Sequence, residues 1–326
     1  MNLSATPEPH FRSAEPAVNE VAFQGLSGDN PLAFLAALGT FRILANRFPE
    51  WSFRLRWVAG PGHWVPAIRS TSGPSTLNRQ TLLDMLSDEL IDDFDRHPAN
   101  LFIQLGPLDD AGRRAFIREA MNQSAVGRAE TLAWITAFTS DAIPSGESTQ
   151  LQTVRRDYLP NNMKSVIERT ERSHLERTLF RTWDYGDALD NQSLHWDPGE
   201  DRRHAHQWNK PSGDPNRKSE GGMLGANRLA LEAIPLFTSI PENETLRTLG
   251  FTVTRSKNTR WTWPLWDVPV DSNSLPSLMA RRELQGDPIP ASDATRLKQI
   301  GVVAAFRTYR ILVGKTPNLT PPRRVA

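Results

Sequence analysis

Residues that could coordinate a metal ion are concentrated in one polar segment, residues 195–226. His195, Asp197, His204 and His206 supply imidazole and carboxylate groups, the ligands of a Zn, Mn or Ni site built without sulfur. His204 and His206 are two residues apart, so they share a face if the segment is extended. This pattern allows a metal-dependent hydrolase. It lacks the HExxH spacing, and a solvent-facing loop is the commoner outcome for such a segment.

No set of residues predicts nucleophilic catalysis. The chain has no GxSxG elbow and no cysteine, which excludes cysteine nucleophiles, thiolate zinc sites and disulfides. The glycines of residues 221–227 precede a helix but lack the GxxxxGK[ST] form of a phosphate-binding loop. We therefore predict no catalytic residue and no cofactor, and the sequence leans against an enzyme.

Two clusters combine cations with aromatic side chains, and this combination favours nucleic-acid binding. Cations neutralise phosphates, and exposed aromatic rings stack on bases without reading sequence. We predict contact by at least one cluster, although nearby acidic residues reduce the charge of the first. The first cluster contains Arg202, Arg203, His204, Trp208, Lys210, Arg217, Lys218 and Arg228. The second contains Arg255, Lys257, Arg260 and Trp261, followed by Trp263 and Trp266, for which a place in the core is favoured.

The charges of the two halves differ in sign. Residues 1–150 hold 12 arginines against 17 acidic residues, whereas residues 151–326 hold 26 cations against 20 acidic residues. A polyanion is therefore expected to meet the second half first. The first residues carry acids and prolines without an apolar run, and no window approaches the ~20 apolar residues of a membrane span. We expect a cytoplasmic protein without membrane contact.

The clearest local pattern is a helix that must lie in the core. Asn30 is a good N-cap and Pro31 fits the first helical position. Residues 32–48 are apolar on nearly every face, which is typical of a buried helix. Gly39 in its middle suggests the close approach of another element.

The remaining pattern predicts an α+β fold with mixed helices and a mainly antiparallel sheet, as one large domain or two closely packed subdomains. We divide the chain into a flexible arm (1–19), a helix-rich part (20–150) and a basic α+β part (151–326). Expected strands cover residues 21–26, 51–58, 101–105, 248–256, 259–268 and 301–313. Expected helices cover residues 80–94, 110–123, 128–138, 163–183 and 292–299, with another beginning near Asn227, and residues 59–79 are expected to form a loop. Pro264 is expected to split the strand around it or place it at an edge.

Two sequence blocks resemble a known family. Residues 25–44 read GLSGDNPLAFLAALGTFRIL, and residues 195–208 read HWDPGEDRRHAHQW, followed by GANRLALEAIPLF at 225–237. They resemble, in the same order, blocks of proteins encoded in CRISPR loci of subtype I-G (formerly I-U). Together they cover about a fifth of the chain.

The resemblance implies a large-subunit-like or helicase–nuclease-extension-like component of an antiviral, RNA-guided effector. Its partners would be guide RNA or target DNA and other effector subunits, with base pairing reading the sequence. No catalytic residue is carried over. Residues of the matching blocks are implied to form the site or contact nucleic acid: Trp196, Asp197, Arg202, Arg203, Asn227 and Arg228. A scaffold whose tryptophans and arginines dock another protein is the remaining hypothesis.

Overall fold

The protein is described by a computed structural model that combines α-helices with antiparallel sheets. The described residues are 19–91, 94–105, 108–124, 129–142, 149–154, 158–187, 193–199, 221–242, 245–253, 259–313 and 316–326. Within them the helices are α1 (Pro31–Arg47), α2 (Arg79–Leu90), α3 (Leu101–Leu105), α4 (Asp110–Ser124), α5 (Ala129–Phe138), α6 (Leu159–Arg169), α7 (Arg172–Phe180), α8 (Leu224–Leu231), α9 (Leu275–Met279) and α10 (Ala291–Gln299). The α+β prediction is confirmed.

The strands of the described residues form three antiparallel sheets. The strands are β1 (Glu20–Ala22), β2 (Phe53–Ala59), β3 (Trp64–Ser70), β4 (Ser239–Glu242), β5 (Thr245–Thr248), β6 (Phe251–Val253), β7 (Thr259–Trp266), β8 (Val302–Val313), β9 (Thr316–Leu319) and β10 (Arg323–Arg324). One sheet has the order β1-β3-β2, and β4 pairs with β5. The largest has the order β10-β8-β7-β6, with β9 also paired to β8.

Helix α1 forms as its sequence predicts. The side chain of Asn30 accepts hydrogen bonds from the amides of Leu32 (2.8 Å) and Ala33 (3.1 Å), and Pro31 opens the first turn. Every residue from Pro31 to Leu44 is buried. An N-cap of this kind contributes about 1 kcal/mol.

Phe34 of α1 lies in the middle of an aromatic core. Its ring centroid is 5.8 Å from Trp57, 6.1 Å from Trp261, 5.9 Å from Trp263 and 6.5 Å from Trp266. This core joins α1 to β2 and β7, and it contains residues from both sides of the predicted boundary near residue 150.

A second, smaller core covers the other face of the largest sheet. Leu284, Leu297, Val302 and Ala305 pack together, so the 3-10 turn Arg282–Gln285 and α10 lie against β8. This packing places the loop that follows the turn beside Arg260 of β7, Arg307 and Tyr309 of β8, and Arg323 of β10.

Four sequence expectations are wrong. Residues 101–105 form the helix α3 instead of a strand, because a short apolar run fits either structure. Residues 59–79 contain the strand β3, which was hidden by its turn-rich flanks. The helix expected over 163–183 is two helices, since Thr170 is extended (ψ 128°) between α6 and α7. Helix α8 starts at Leu224, before Asn227, near which it was expected to begin, so Asn227 lies inside the helix.

Pro264 lies past the residues of β7 that pair with β6, which end at Trp261. The amide of Thr262 donates to the carbonyl oxygen of Gly250 (3.3 Å), on the side of β6. The nitrogen of Pro264, two residues later, points to the same side, where β6 has ended, so no ladder bond is lost. The edge expected at Pro264 exists only at that end of β7, because the strand as a whole lies between β8 and β6 and continues unsplit to Trp266. Among the described residues, none of the helices combines the length and the apolarity needed to cross a membrane.

Candidate functional site

Helix α8 belongs to the second sequence block. It packs against α1 of the first block and against α7, in each case at a glycine. A Cβ atom at Gly39 would overlap the carbonyl oxygen of Leu229, which places the backbones of α1 and α8 in direct contact. A Cβ atom at Gly225 would overlap the carbonyl oxygen of His174 in α7. The close approach predicted at Gly39 is confirmed, and its partner is α8.

A buried charge network fixes α1 against α8. Glu232 accepts from Arg228 and from Arg42 (Nη1–Oε2 3.3 Å), and His97 Nε2 lies 2.9 Å from its Oε1. Arg42 also pairs with Glu130 of α5, and Arg228 Nε donates to the carbonyl oxygen of Leu90 (3.2 Å). Arg228 is 1% exposed, so its guanidinium contacts groups inside the protein and not solvent.

Burial and charge act on the pKa of Glu232 in opposite directions. Burial alone raises the pKa, but the neighbouring Arg228, His97 and Arg42 outweigh it and hold the pKa far below the ordinary glutamate value. The carboxylate is therefore charged throughout the physiological range. An ion network of this kind makes the α1–α8 contact specific, because removing one partner leaves an uncompensated buried charge.

The start of α8 is held by side chains from the preceding segment. Asp187 Oδ2 accepts from the amide of Leu224 (2.7 Å), the first residue of the helix, and its other oxygen pairs with Arg177. Asn227 is fully buried, where its Oδ1 accepts from the amide of Leu194 (2.8 Å) and its Nδ2 donates to Met223 O (3.0 Å). Asn227 thus anchors the chain just before the second sequence block.

Trp196 and Asp197 turn inward from that anchored chain. Trp196 is 2% exposed, and its Nε1 donates to the carbonyl oxygen of Leu151 (2.7 Å). The carboxylate of Asp197 accepts from the Tyr185 hydroxyl (2.8 Å) and the Gly199 amide (2.7 Å). His195 has a left-handed backbone (φ 60°) and its Nδ1 lies 3.4 Å from Ser193 Oγ.

In the described part of the chain, no group of three or more His, Asp or Glu side chains is arranged to hold a metal ion. Two of the four proposed ligands, His204 and His206, lie outside the described residues. The metal-site prediction is therefore not decided by His195 and Asp197 alone.

A surface cleft of about 290 Å³ lies where the two sequence blocks meet. It is lined by Asp29, Asn30, Pro31, Tyr185, Asp197, Pro198, Gly199, Pro321 and Pro322. The side chain of Asn30 caps α1, and the carboxylate of Asp197 accepts a hydrogen bond from Tyr185, so both polar groups stabilise the local structure. The cleft shows that residues almost 170 positions apart in the sequence form one surface.

Strand β7 separates the second predicted cluster into two faces. Successive residues of a strand point to opposite sides, so Arg260 and Thr262 share one face and Trp261 and Trp263 share the other. Trp261 is 1% exposed, and its ring packs at 5.4 Å on Phe251. The nucleic-acid surface that we predicted for Trp196, Asn227, Arg228 and Trp261 is not formed, because all four side chains are enclosed.

Arg260 instead belongs to a group around one carboxylate, which we call the Asp287 cluster: Arg260, Asp287, Arg307, Tyr309 and Arg323. The register explains it, since Arg260 pairs across the sheet with Tyr309, and Arg307 pairs with Arg323. Arg307 and Tyr309 are two residues apart on β8, so all four side chains share a face.

Asp287 lies within ion-pair or hydrogen-bond distance of every other member of the cluster. Its Oδ2 is 3.3 Å from Arg260 Nη1 and 2.8 Å from the Tyr309 hydroxyl. Its Oδ1 is 2.9 Å from Arg307 Nη1 and 3.3 Å from Arg323 Nη2. Three guanidinium groups thus share one carboxylate, and the cluster carries two positive charges in excess.

The cluster shifts the pKa values of two members. Burial tends to raise the pKa of Asp287, but the Tyr309 hydroxyl and the three arginines hold it below the ordinary aspartate value. Burial lowers the pKa of Arg307, assisted by the nearby positive charges of Arg260 and Arg323 and opposed by Asp287. A guanidinium remains charged despite such a shift.

Arg260 was predicted from the sequence, whereas the other members of the cluster were not. The pattern Arg307-x-Tyr309 on β8 and Arg260-x-Thr262 on β7 already indicates two polar faces, and antiparallel pairing can join them. Asp287 gives no comparable signal, because it follows a 3-10 turn in a loop. The other predicted cationic residues, Arg202, Arg203, His204, Lys210, Arg217, Lys218, Arg255 and Lys257, lie outside the described residues.

Comparison of the chain with protein-family models, curated protein sequences and solved structures finds no match.

Proposed function

We propose that this protein is a non-catalytic component of an RNA-guided antiviral effector of the CRISPR subtype I-G kind, and that it contacts nucleic acid through its basic C-terminal part. The Asp287 cluster is the observation that carries the proposal. It places Arg260 and Arg323 at one face of the largest sheet with more positive charge than Asp287 neutralises. Uncompensated guanidinium groups at a surface are the usual contacts for phosphates.

Other features support the same assignment. The side chain of Arg323 is 58% exposed, so a strand can reach it without rearrangement of the fold. Arg255 and Lys257 precede Arg260 by five and three residues and add two cations to the same stretch of sequence. The two blocks that resemble the CRISPR family pack against each other in the fold, through α1 and α8.

The proposal predicts binding to single-stranded RNA or DNA that weakens steeply as salt is added. The decisive measurement is fluorescence anisotropy of a labelled oligonucleotide over a range of salt concentrations, with the full chain alone and together with partner subunits. The double variant Arg260→Gln/Arg323→Gln should flatten the slope of log K against log salt by about 1.4, since each single-strand phosphate contact contributes about 0.7.

Arg296→Gln is a matched control. Its side chain is 57% exposed and pairs with one aspartate, as Arg323 does, but it lies on α10. The control should bind like the wild type. Binding that is absent, or that does not depend on salt, with and without partner subunits, contradicts the proposal.

The metal-dependent hydrolase based on His195, Asp197, His204 and His206 stays a prediction, as does the protein–protein scaffold. Metal analysis of the purified protein and of a His204→Ala/His206→Ala variant tests the first. Cross-linking that places Arg260 and Arg323 on a protein partner instead of nucleic acid would select the second.

A further inference from the structure

The donors of the Asp287 cluster outnumber its acceptors. A guanidinium group offers five N–H donors and no acceptor. Arg260 Nε is buried without a hydrogen-bond partner, although Arg260 Nη2 donates to the carbonyl oxygen of Gln285. Arg307 Nη1 is 2.9 Å from Asp287 Oδ1 but lacks the alignment of a hydrogen bond. The cluster therefore lacks acceptor oxygens, while its positive charges are already in place.

The accessible side of the cluster is formed by Arg323 and Tyr309, with Arg260 behind them. Arg323 Nη2 donates to the Tyr309 hydroxyl (2.9 Å), and its guanidinium carbon lies 5.5 Å from the centre of the Tyr309 ring. The side chain of Arg260 is 12% exposed, and that of Arg307 is fully enclosed. A ligand can touch Arg323, Tyr309 and the exposed edge of Arg260, whereas the enclosed Arg307 acts through Asp287 and contributes charge from below.

Arg307 is held in place from the protein side. Its Nε donates to Thr262 Oγ1 (2.8 Å), and its Nη2 donates to the carbonyl oxygens of Leu284 (2.9 Å) and Gly286 (2.7 Å). These bonds fix the guanidinium beneath the loop that carries Asp287. The positive charge is thus preorganised and does not have to be assembled when a ligand arrives.

We infer that Arg260, Tyr309 and Arg323 form a binding site for a phosphate monoester, the terminal phosphate of a nucleic-acid strand. This inference rests on the proposed function for the identity of the strand. The excess of two positive charges matches a monoester, which carries about −1.5 to −2 at pH 7 and has three free oxygens. A diester inside a strand carries one negative charge and offers two free oxygens.

The test compares two oligonucleotides of one sequence, with a 5′-phosphate or a 5′-hydroxyl group, and inorganic phosphate as the minimal probe. The wild type should bind the phosphorylated strand about tenfold more tightly, because a charge-assisted contact to two arginines is gained. A strand with a 3′-phosphate identifies the preferred end. Arg323→Gln should abolish the preference, and Arg296→Gln should keep it.

The pH dependence provides a second readout. The preference for the phosphorylated strand should decrease as the pH is lowered through about 6, the second pKa of the monoester. The titratable and charged groups that face the ligand are Arg260, Arg323, Tyr309 and Asp287, with the enclosed Arg307 behind them. The carboxylate of Asp287 stays ionised near pH 6 because its pKa lies below the ordinary aspartate value. Comparing the two strands cancels titration elsewhere in the protein.

The outcomes separate this inference from the proposed function. If strands with a 5′-phosphate, with a 3′-phosphate and with no terminal phosphate bind equally and Arg323→Gln changes none of them, the terminal-phosphate site is overturned while nucleic-acid contact stands. If inorganic phosphate protects the wild type and Arg296→Gln against thermal unfolding but not Arg323→Gln, the site stands even where no strand binds. If neither phosphate nor any strand binds, both proposals fail.

Discussion

Arg260 and Trp261 are neighbours in the chain, yet they lie on opposite faces of β7. Arg260 contacts Asp287 at the outer face of the sheet, whereas Trp261 packs against Phe34 and Phe251 in the core. Substitution of Arg260 should therefore affect binding, whereas substitution of its neighbour Trp261 should affect stability.

Trp261→Ala should lower the free energy of unfolding by about 3–5 kcal/mol, because it removes a fully buried indole and leaves a cavity. Arg260→Gln should lower it by about 1 kcal/mol or less, since a partly exposed ion pair and one hydrogen bond are lost. Urea unfolding of the two variants beside the wild type measures this difference. Equal losses of stability would contradict the assignment of the two faces.

Gly39→Ala should destabilise the protein strongly. The new methyl group has no space, because the carbonyl oxygen of Leu229 already occupies its position, and α1 and α8 must move apart. Alanine elsewhere in a helix is favoured over glycine by about 1 kcal/mol.

Gly112→Ala in α4 is the control for that substitution, because its new Cβ meets the side chains of Asp109 and Leu108 and no backbone. Thermal unfolding should show a large loss for Gly39→Ala and little change or a gain for Gly112→Ala. A tolerated Gly39→Ala would mean that the helices are not in backbone contact.

Glu232→Gln should cost about 3–5 kcal/mol of unfolding free energy, since it leaves Arg228 and Arg42 without their buried counter-charge. Glu242→Gln serves as the control. Its pair with Arg247 is about half exposed, with side chains 52% and 46% accessible. Such a pair contributes about 0–1 kcal/mol, so denaturant midpoints should separate the two variants clearly.

The stabilisation from Glu232 should also depend on pH in a defined direction. Its pKa is lowered in the folded state, so the folded protein binds fewer protons and the stabilisation is present above the unfolded pKa of about 4.3. It is lost as the pH falls below that value towards the folded pKa. The difference in unfolding free energy between wild type and Glu232→Gln should therefore shrink from about pH 5 to about pH 3. A constant difference would show that the charge of Glu232 does not matter.

Asn227→Ala should release the chain before the second sequence block. The amide of Leu194 loses its acceptor, at a cost of about 1–3 kcal/mol for an unsatisfied buried group. Hydrogen exchange at residues 193–197 should accelerate, whereas Asn100→Ala, whose side chain bonds Asp95 O near the surface, should leave it unchanged. Unaltered exchange in Asn227→Ala would exclude the anchoring role.

Local patterns in the sequence were sufficient for elements whose own residues decide their structure. Helix α1 was predicted with its cap, its buried faces and its glycine contact, because Asn30 and Pro31 act on the backbone of the same helix and Gly39 acts through its missing side chain. The strand pair β6 and β7 and the helix α10 were also predicted near their observed positions.

Long-range partners were not predictable in the same way. Whether Arg228 faces solvent or Glu232 depends on Arg42 and His97, which lie more than 100 residues earlier in the sequence. Trp261 and Trp196 both have cations nearby in the sequence, which is typical of an exposed binding surface. Their rings are enclosed because α1 packs on Trp261 and the chain near Leu151 packs on Trp196. The Asp287 cluster likewise requires the register of β7, β8 and β10.

The contact between α1 and α8 provides a means to find distant relatives. The helices touch at Gly39 and through the ion pair between Arg42 and Glu232. A small number of spaced positions therefore define the arrangement: Asn30, Pro31, Gly39 and Arg42, then Gly225, Arg228 and Glu232. A search for this spaced pattern, with a free interval between its two parts, could recover homologous chains whose surfaces and loops have diverged entirely.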